Sequence, residues 1–308
     1  MNSPRQKGLL LVLGTAIISG FSIFINKYGV SAINPYIFTF LKNILVVVAI
    51  SGLILGLKDW KALKALTKKQ WGLLLTIGLV GGSLPFLLFF KGLSLTNAAE
   101  SSFIQKTMFI YVALLASVFL KEKLNKNFLI GGSFLMLGNL FLLGKSSLLV
   151  LNKGALLIFI ATLFWAMENV ISKYALKELS GKIVGWGRMF FGSLFILIFL
   201  SATSQLSLIT RLSFKQINWI IITAVILLGY VLTWYNGLKH IPVSQAAAIL
   251  TLGAPITTLL NLVSGRSVNP QEILAGIFIV FGVILVLGLK EISGLTKKIS
   301  LLFHDAQT

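Results

Sequence analysis

The sequence contains no cysteine, which excludes disulfides, thiol catalysis and zinc–thiolate centres. Its two histidines, His240 and His304, lie outside the long apolar runs, so a histidine-rich metal centre within those runs is excluded too. Charge is scarce. Only 11% of the 308 residues are charged, against roughly 25% in soluble domains. Acids are scarcest, with 8 Asp+Glu against 27 Lys+Arg. No Gly-x-x-x-x-Gly-Lys phosphate loop is present, so the chain is not expected to be driven by its own ATP hydrolysis. His-Glu-x-x-His and Gly-x-Ser-x-Gly are also missing, which leaves an intramembrane enzyme no more than a lone Ser/Lys pair. No cofactor is expected.

What fills the chain instead is apolar sequence, 56% of the residues. It falls into ten continuous runs, roughly 8–27, 35–57, 71–90, 97–120, 127–144, 154–173, 183–203, 216–238, 243–264 and 271–290. A helix rising about 1.5 Å per residue needs about 20 residues to cross some 30 Å of hydrocarbon. A membrane β-barrel needs alternating segments of about ten residues, which these are not. The expected fold is all-α, an integral membrane protein of ten transmembrane helices. Arg5 and Lys7 precede the first run, which continues without a small-x-small cleavage site and is expected to be the first membrane helix rather than a signal peptide.

The net charge of +19 sits mainly in the short loops, where it sets orientation, and forms no basic stripe interleaved with aromatics. Nucleic acid is therefore not an expected partner; the lipid bilayer and a small-molecule substrate are. With the N-terminus inside, 17 of the 27 Lys+Arg fall on the inner side, 7 on the outer, and Lys42, Lys106 and Arg188 within helices. Both termini are thus expected in the cytoplasm, in the cell membrane. Oligomeric state is left open between monomer and homodimer.

The chain matches itself at a shift of about 146 residues. Lys7-Gly8-Leu9-Leu10 recurs as Lys153-Gly154-Ala155-Leu156, and Asn26-Lys27-Tyr28-Gly29 as Ser172-Lys173-Tyr174-Ala175. Lys91-Gly92-Leu93 falls near Asn236-Gly237-Leu238. The expected division is residues 1–146 and 147–292 as two five-helix repeats, with 293–308 a short cytoplasmic tail. Five is odd, so the second repeat enters the membrane inverted, the arrangement that supports alternating access.

With these features the chain resembles the drug/metabolite transporter superfamily, in particular its ten-helix EamA type, over residues 7 to 290. The resemblance is carried by Leu163-Phe164-Trp165-Ala166-Met167-Glu168-Asn169-Val170, by Phe40-Leu41-Lys42-Asn43 and Gly187-Arg188-Met189-Phe190, by Ser244-Gln245-Ala246-Ala247-Ala248-Ile249 leading to Pro255, and by Phe119-Leu120-Lys121-Glu122-Lys123-Leu124. The halves differ where Ser19 stands opposite Trp165, Phe109 opposite Pro255 and Arg266 opposite Glu122. The resemblance implies an exporter or exchanger of amino acids, other metabolites or toxic compounds. It also implies a central cavity lined by helices 1, 3, 4, 6, 8 and 9.

Five ionisable residues fall inside expected helices: Lys42, Glu100, Lys106, Glu168 and Arg188. Each costs about 2.5 kcal/mol or more near the bilayer centre, so each should face protein or a watered cavity. Lys42 and Arg188 are repeat mates, which suggests a shared structural task. Glu168, beside Asn169 and one turn from Trp165, is a candidate proton carrier or a carboxylate permanently paired with Lys106 or another cation. Lys106, with Gln105, is a candidate for holding a substrate carboxylate or for neutralising Glu168. Glu100 is either functional or a solvated end-turn acid. Trp234, Tyr235 and Asn236 are further cavity candidates. Pro85 and Pro255 should break their helices, as hinges or packing kinks. A buried set of mixed charge suits a zwitterion such as an amino acid, with Glu168 as the candidate for proton coupling; the alternatives are a multidrug exporter and a non-transporting receptor or scaffold.

Overall fold

The computed structural model describes residues 3–29, 33–96, 98–143, 152–288 and 291, without the side chains of residues 26–29, 98 and 99. Asn97, Lys145, Lys290, His304 and the 293–308 tail lie outside the described residues, as does the Lys27 side chain. The described chain is helical throughout its length, and ten of its helices are long and apolar enough to cross a membrane. They are α1 (Pro4–Gly29), α2 (Pro35–Gly56), α3 (Lys68–Leu93), α4 (Ala98–Lys106 with Met108–Phe119) and α5 (Lys126–Leu143). The second half supplies α6 (Lys153–Ala175), α7 (Gly181–Ala202), α8 (Phe214–Leu238), α9 (Val243–Leu250 with Gly253–Val263) and α10 (Pro270–Leu287).

Starts are fixed by residues that satisfy the orphan N–H groups of a first turn. Asn34 accepts from Tyr36 N at 2.9 Å ahead of Pro35, and Asn152 accepts from Ala155 N at 2.8 Å. Thr67 with Gln70, and Ser213 with Gln216, form capping boxes for α3 and α8. The outer surface is apolar: Val118, Phe119 and Val263 are exposed in the bare protein and would meet lipid.

Exchanging first-half for second-half helices carries the main packed pairs onto one another or onto themselves. The α1–α8 contact maps onto α6–α3, α1–α9 onto α6–α4, and α2–α8 onto α7–α3; α2–α7 and α5–α10 map onto themselves. The repeated sequence pieces lie at these contacts. A Cβ on Gly8 would come 3.1 Å from Gly237 O, and one on its mate Gly154 would come 2.8 Å from Gly92 O. Hence the glycines of Lys-Gly-Leu recur because each lets two backbones touch. The two five-helix repeats are inverted, because each has an odd number of spans. Residues 5 and 291 share one face, where Arg5 Nε meets Glu291 Oε1 at 2.9 Å.

Three spans are broken near mid-membrane. In α3, Gly78–Ser83 is a π-helical segment just before Pro85. In α9 the break falls at Thr251 and Leu252, before Pro255. Each irregularity therefore precedes its proline, which cannot donate to the carbonyl four residues earlier. In α4 the break is at Thr107 with no proline near; its hydroxyl takes Ile104 O at 2.6 Å, competing with the backbone ladder.

Candidate functional site

The break in α3 builds the site. Pro85 has no N–H for Gly81 O, and that carbonyl is taken by two side chains from the other repeat. Trp165 Nε1 donates to it at 3.3 Å and Arg188 Nη2 at 3.2 Å. Gly81 also has no side chain, and the place where its Cβ would stand is filled by the side chain of Glu168. One residue thus anchors α6 and α7 against α3.

Glu168 is buried and fully engaged on one oxygen. Its Oε1 accepts from Ser172 Oγ at 2.6 Å and Tyr235 Oη at 2.7 Å. Arg188 stands within electrostatic reach of both Glu168 and Tyr235. Among the described residues neither Arg188 nor Lys106 forms an ion pair with Glu168; Arg188 is the cation that shares Gly81 with it.

Between the repeats lies a cavity of about 340 Å³. Ser19, Lys42, Lys106, Glu168, Arg188 and Thr251 are among its polar lining. Its apolar wall is aromatic. Phe86 and Phe89 meet Trp165 with ring centroids 5.3 and 5.5 Å apart, and Tyr230 stacks on Trp234 at 6.2 Å. Cavities of this size and make-up hold small molecules.

Of the residues singled out from sequence, Lys42, Gln105, Lys106, Trp165, Glu168, Asn169, Arg188 and Trp234 line this cavity. Tyr235 stands behind it, reaching in only through Glu168. Asn236 does not reach it, because its Nδ2 turns back to Leu232 O at 2.8 Å and its carbonyl packs on Gly181. Glu100 is likewise outside the cavity, buried against Thr96 in the first turn of α4. Pro85 and Pro255 are not in the lining; they act one turn away, through Gly81 and Thr251. The six-helix lining is corrected to eight, since α2 contributes Thr39, Lys42 and Asn43 and α7 contributes Arg188. Long basic side chains carry their charge inward from helices whose backbones stand further out.

Some lining residues escaped notice in the sequence. Phe89 is the repeat mate of Trp234 at the 145-residue offset set by Lys91-Gly92-Leu93, so the duplication pointed to it. Ser172, behind the lining, lies one turn after Glu168, where a bonding partner was legible from helical spacing.

Ten spans in two inverted repeats around a central polar–aromatic cavity define a membrane transporter of the duplicated, small-molecule class. The chain belongs to the EamA-like transporter family, whose profile matches it twice, over residues 6–144 and 152–288. It is similar to the riboflavin transporter ImpX of Fusobacterium nucleatum subsp. nucleatum, 26% identical, with 90% of this chain and 96% of that one covered. It is also similar to the uncharacterized transporters YyaM and YetK of Bacillus subtilis. YyaM is 22% identical, with 92% of this chain and 94% of the relative covered. YetK is 26% identical, with 83% and 79% covered. A crystal structure 16% identical superposes with a TM-score of 0.77, covering 92% of this chain and 97% of its own, which supports the fold. The protein is a multi-pass membrane transporter of a small molecule, not an enzyme.

Proposed function

We propose that this transporter is a secondary carrier that works by alternating access, exporting or exchanging a small metabolite across the cell membrane. The observation that carries this reading is the polar–aromatic cavity between the two repeats, closed by buried residues at its Glu168–Trp234–Ala247 end. Of the lining residues Ile23, toward the far end of α1, is 48% exposed, whereas Glu168, Trp234 and Ala247 are 2% exposed. The count of 17 inner against 7 outer basic residues supports a cytoplasmic position for the termini. The cavity then opens outward in this state. Two buried donors at the α2–α7 crossing, Asn43 Nδ2 and Arg188 Nε, lack partners here. An unmet buried donor costs about 1–3 kcal/mol, which a second arrangement of the repeats would release. The units that rock are residues 1–146 and 147–292. Glu168 is the proposed proton-coupling group.

The test is uptake into proteoliposomes of labelled amino acids, organic acids and riboflavin, with and without a pH gradient. Saturable uptake of one class supports the carrier. Absence of any flux, together with saturable binding, would favour a receptor. Preference for cationic drugs would favour a multidrug exporter.

A further inference from the structure

The charge lining the cavity selects among solutes, an argument that rests on the cavity being the transport site proposed above. Four ionisable side chains line it: Lys42, Lys106, Arg188 and Glu168. Arg188 and Glu168 converge on Gly81 and stand within reach of each other, so their charges answer one another. The two lysines are different. Among the described residues no carboxylate lies within 4.0 Å of either ammonium or of the Arg188 guanidinium, but Arg188 meets Glu168 at Gly81 and the lysines do not. Lys42 has only the ring of Phe38, 4.6 Å from its Nζ. A desolvated ammonium without a counter-charge is unfavourable, and two of them facing one cavity draw in an anion.

A zwitterion fits this arrangement poorly. Its ammonium needs a carboxylate, and the one lining the cavity already accepts Ser172 and Tyr235 and sits beside Arg188. A cation fits worse. The apolar part of the solute is set by flat walls: Phe86 and Phe89 against Trp165, and Tyr230 stacked on Trp234. Trp165 is held in place through its Nε1 bond to Gly81 O, so that wall is preorganised.

We infer that the solute is an aromatic organic anion, its carboxylate answering Lys42 and Lys106 and its ring lying against the Trp165 wall. This replaces the amino-acid expectation with the deaminated, net-negative relatives of aromatic amino acids.

Three compounds that share a ring and chain but differ in charge separate the cases: phenylpyruvate, phenylalanine and phenethylamine. Binding to the purified full-length protein is measured by calorimetry, and flux by counterflow in proteoliposomes. Phenylpyruvate should bind about tenfold or more tightly than either of the others. Lys42→Met and Lys106→Met should each weaken that binding about tenfold, and Lys→Arg at the same positions should restore most of it in protein of unchanged melting temperature. Tighter binding of phenylalanine or phenethylamine, no binding of phenylpyruvate, or unchanged affinity in both Met variants would overturn the inference. The two readouts keep the claims apart. Binding of the anion without flux defeats the carrier and leaves the site; flux of the amino acid or amine with none of the anion defeats the inference and leaves the carrier.

Discussion

Glu168 packs α6 against α3 at Gly81 and is also the proposed proton-coupling group. Gln in its place keeps an acceptor for Ser172 and Tyr235 but can neither bind nor release a proton. Glu168→Gln should therefore reduce gradient-driven uptake to the level seen without a gradient, while solute counterflow persists. A control is available in His240, the histidine among the described residues. Burial first, then Lys7, Lys239 and Lys173, hold its imidazole below the usual range. It stays neutral at and above neutral pH, so His240→Asn should leave the pH profile of uptake unmoved between pH 7 and 8. A profile that follows His240 and ignores Glu168 would assign coupling to the wrong residue here. Gly82 gives a stability test of a different kind. A Cβ there would stand 2.5 Å from Arg188 O and 2.8 Å from Gly192 Cα, both backbone atoms that cannot swing away. Overpacking of this sort costs about 1–3 kcal/mol, so Gly82→Ala should lower the melting temperature in detergent. An unchanged transition would mean that α3 and α7 separate freely. The ionisable residues were legible in the sequence because buried charge is rare in apolar runs. The Gly81 carbonyl was legible only in part: Pro85 announced a freed acceptor, but not which side chains from the other repeat would take it.

The α8–α9 turn is gripped at both its ends. Glu122, from the loop after α4, accepts Val243 N at 2.7 Å, Ser244 N at 3.1 Å and Ser244 Oγ at 2.6 Å at the start of α9. Lys173, at the end of α6, donates to Leu238 O and Ile241 O at 2.7 Å each, where α8 stops. An acid at a helix start and a base at a helix end both agree with the dipole. On the opposite face Arg266 occupies the place of Glu122 and lies over the Phe24 ring at 5.5 Å, so that end is held differently. Charge-assisted bonds are worth about 1.5–3 kcal/mol each, and 1.4 kcal/mol is a tenfold population change. Glu122→Ala should thus raise access from the terminal face about tenfold or more. The absence of native cysteine makes the measurement simple. Ala247→Cys, on a lining residue 2% exposed, should react faster with a thiol reagent in the Glu122→Ala background. Equal rates would remove the latch. In the sequence, the mismatch of Glu122 and Arg266 looked like a lapse of symmetry; in three dimensions it makes the two faces unequal. The helix breaks were foreseen at Pro85 and Pro255, whereas that at Thr107 depends on a hydroxyl's local choice of partner.

At the scale of the molecule, the duplication was the most legible feature, because close-approach glycines cannot be replaced without separating backbones. The rotation of each helix about its axis was not legible. Lys42 and Arg188, expected from sequence to share a structural task, line the cavity, and Arg188 also bonds Gly81 O on the neighbouring span. The remaining property of the whole chain is its orientation. The basic excess of 17 over 7 supports the proposed cytoplasmic termini through the positive-inside bias, and the Arg5–Glu291 pair fixes only that residues 5 and 291 share a face. Ala65 lies in the loop region between α2 and α3, on the same face as the termini, and Ser207 lies between α7 and α8, on the other; both are exposed. With no cysteine elsewhere, Ala65→Cys and Ser207→Cys each carry a single thiol. In intact cells a membrane-impermeant maleimide should label Ser207→Cys and spare Ala65→Cys until the membrane is opened. The reverse pattern would turn the cavity toward the cytoplasm in this state, and with it the sense of transport that Glu168 couples.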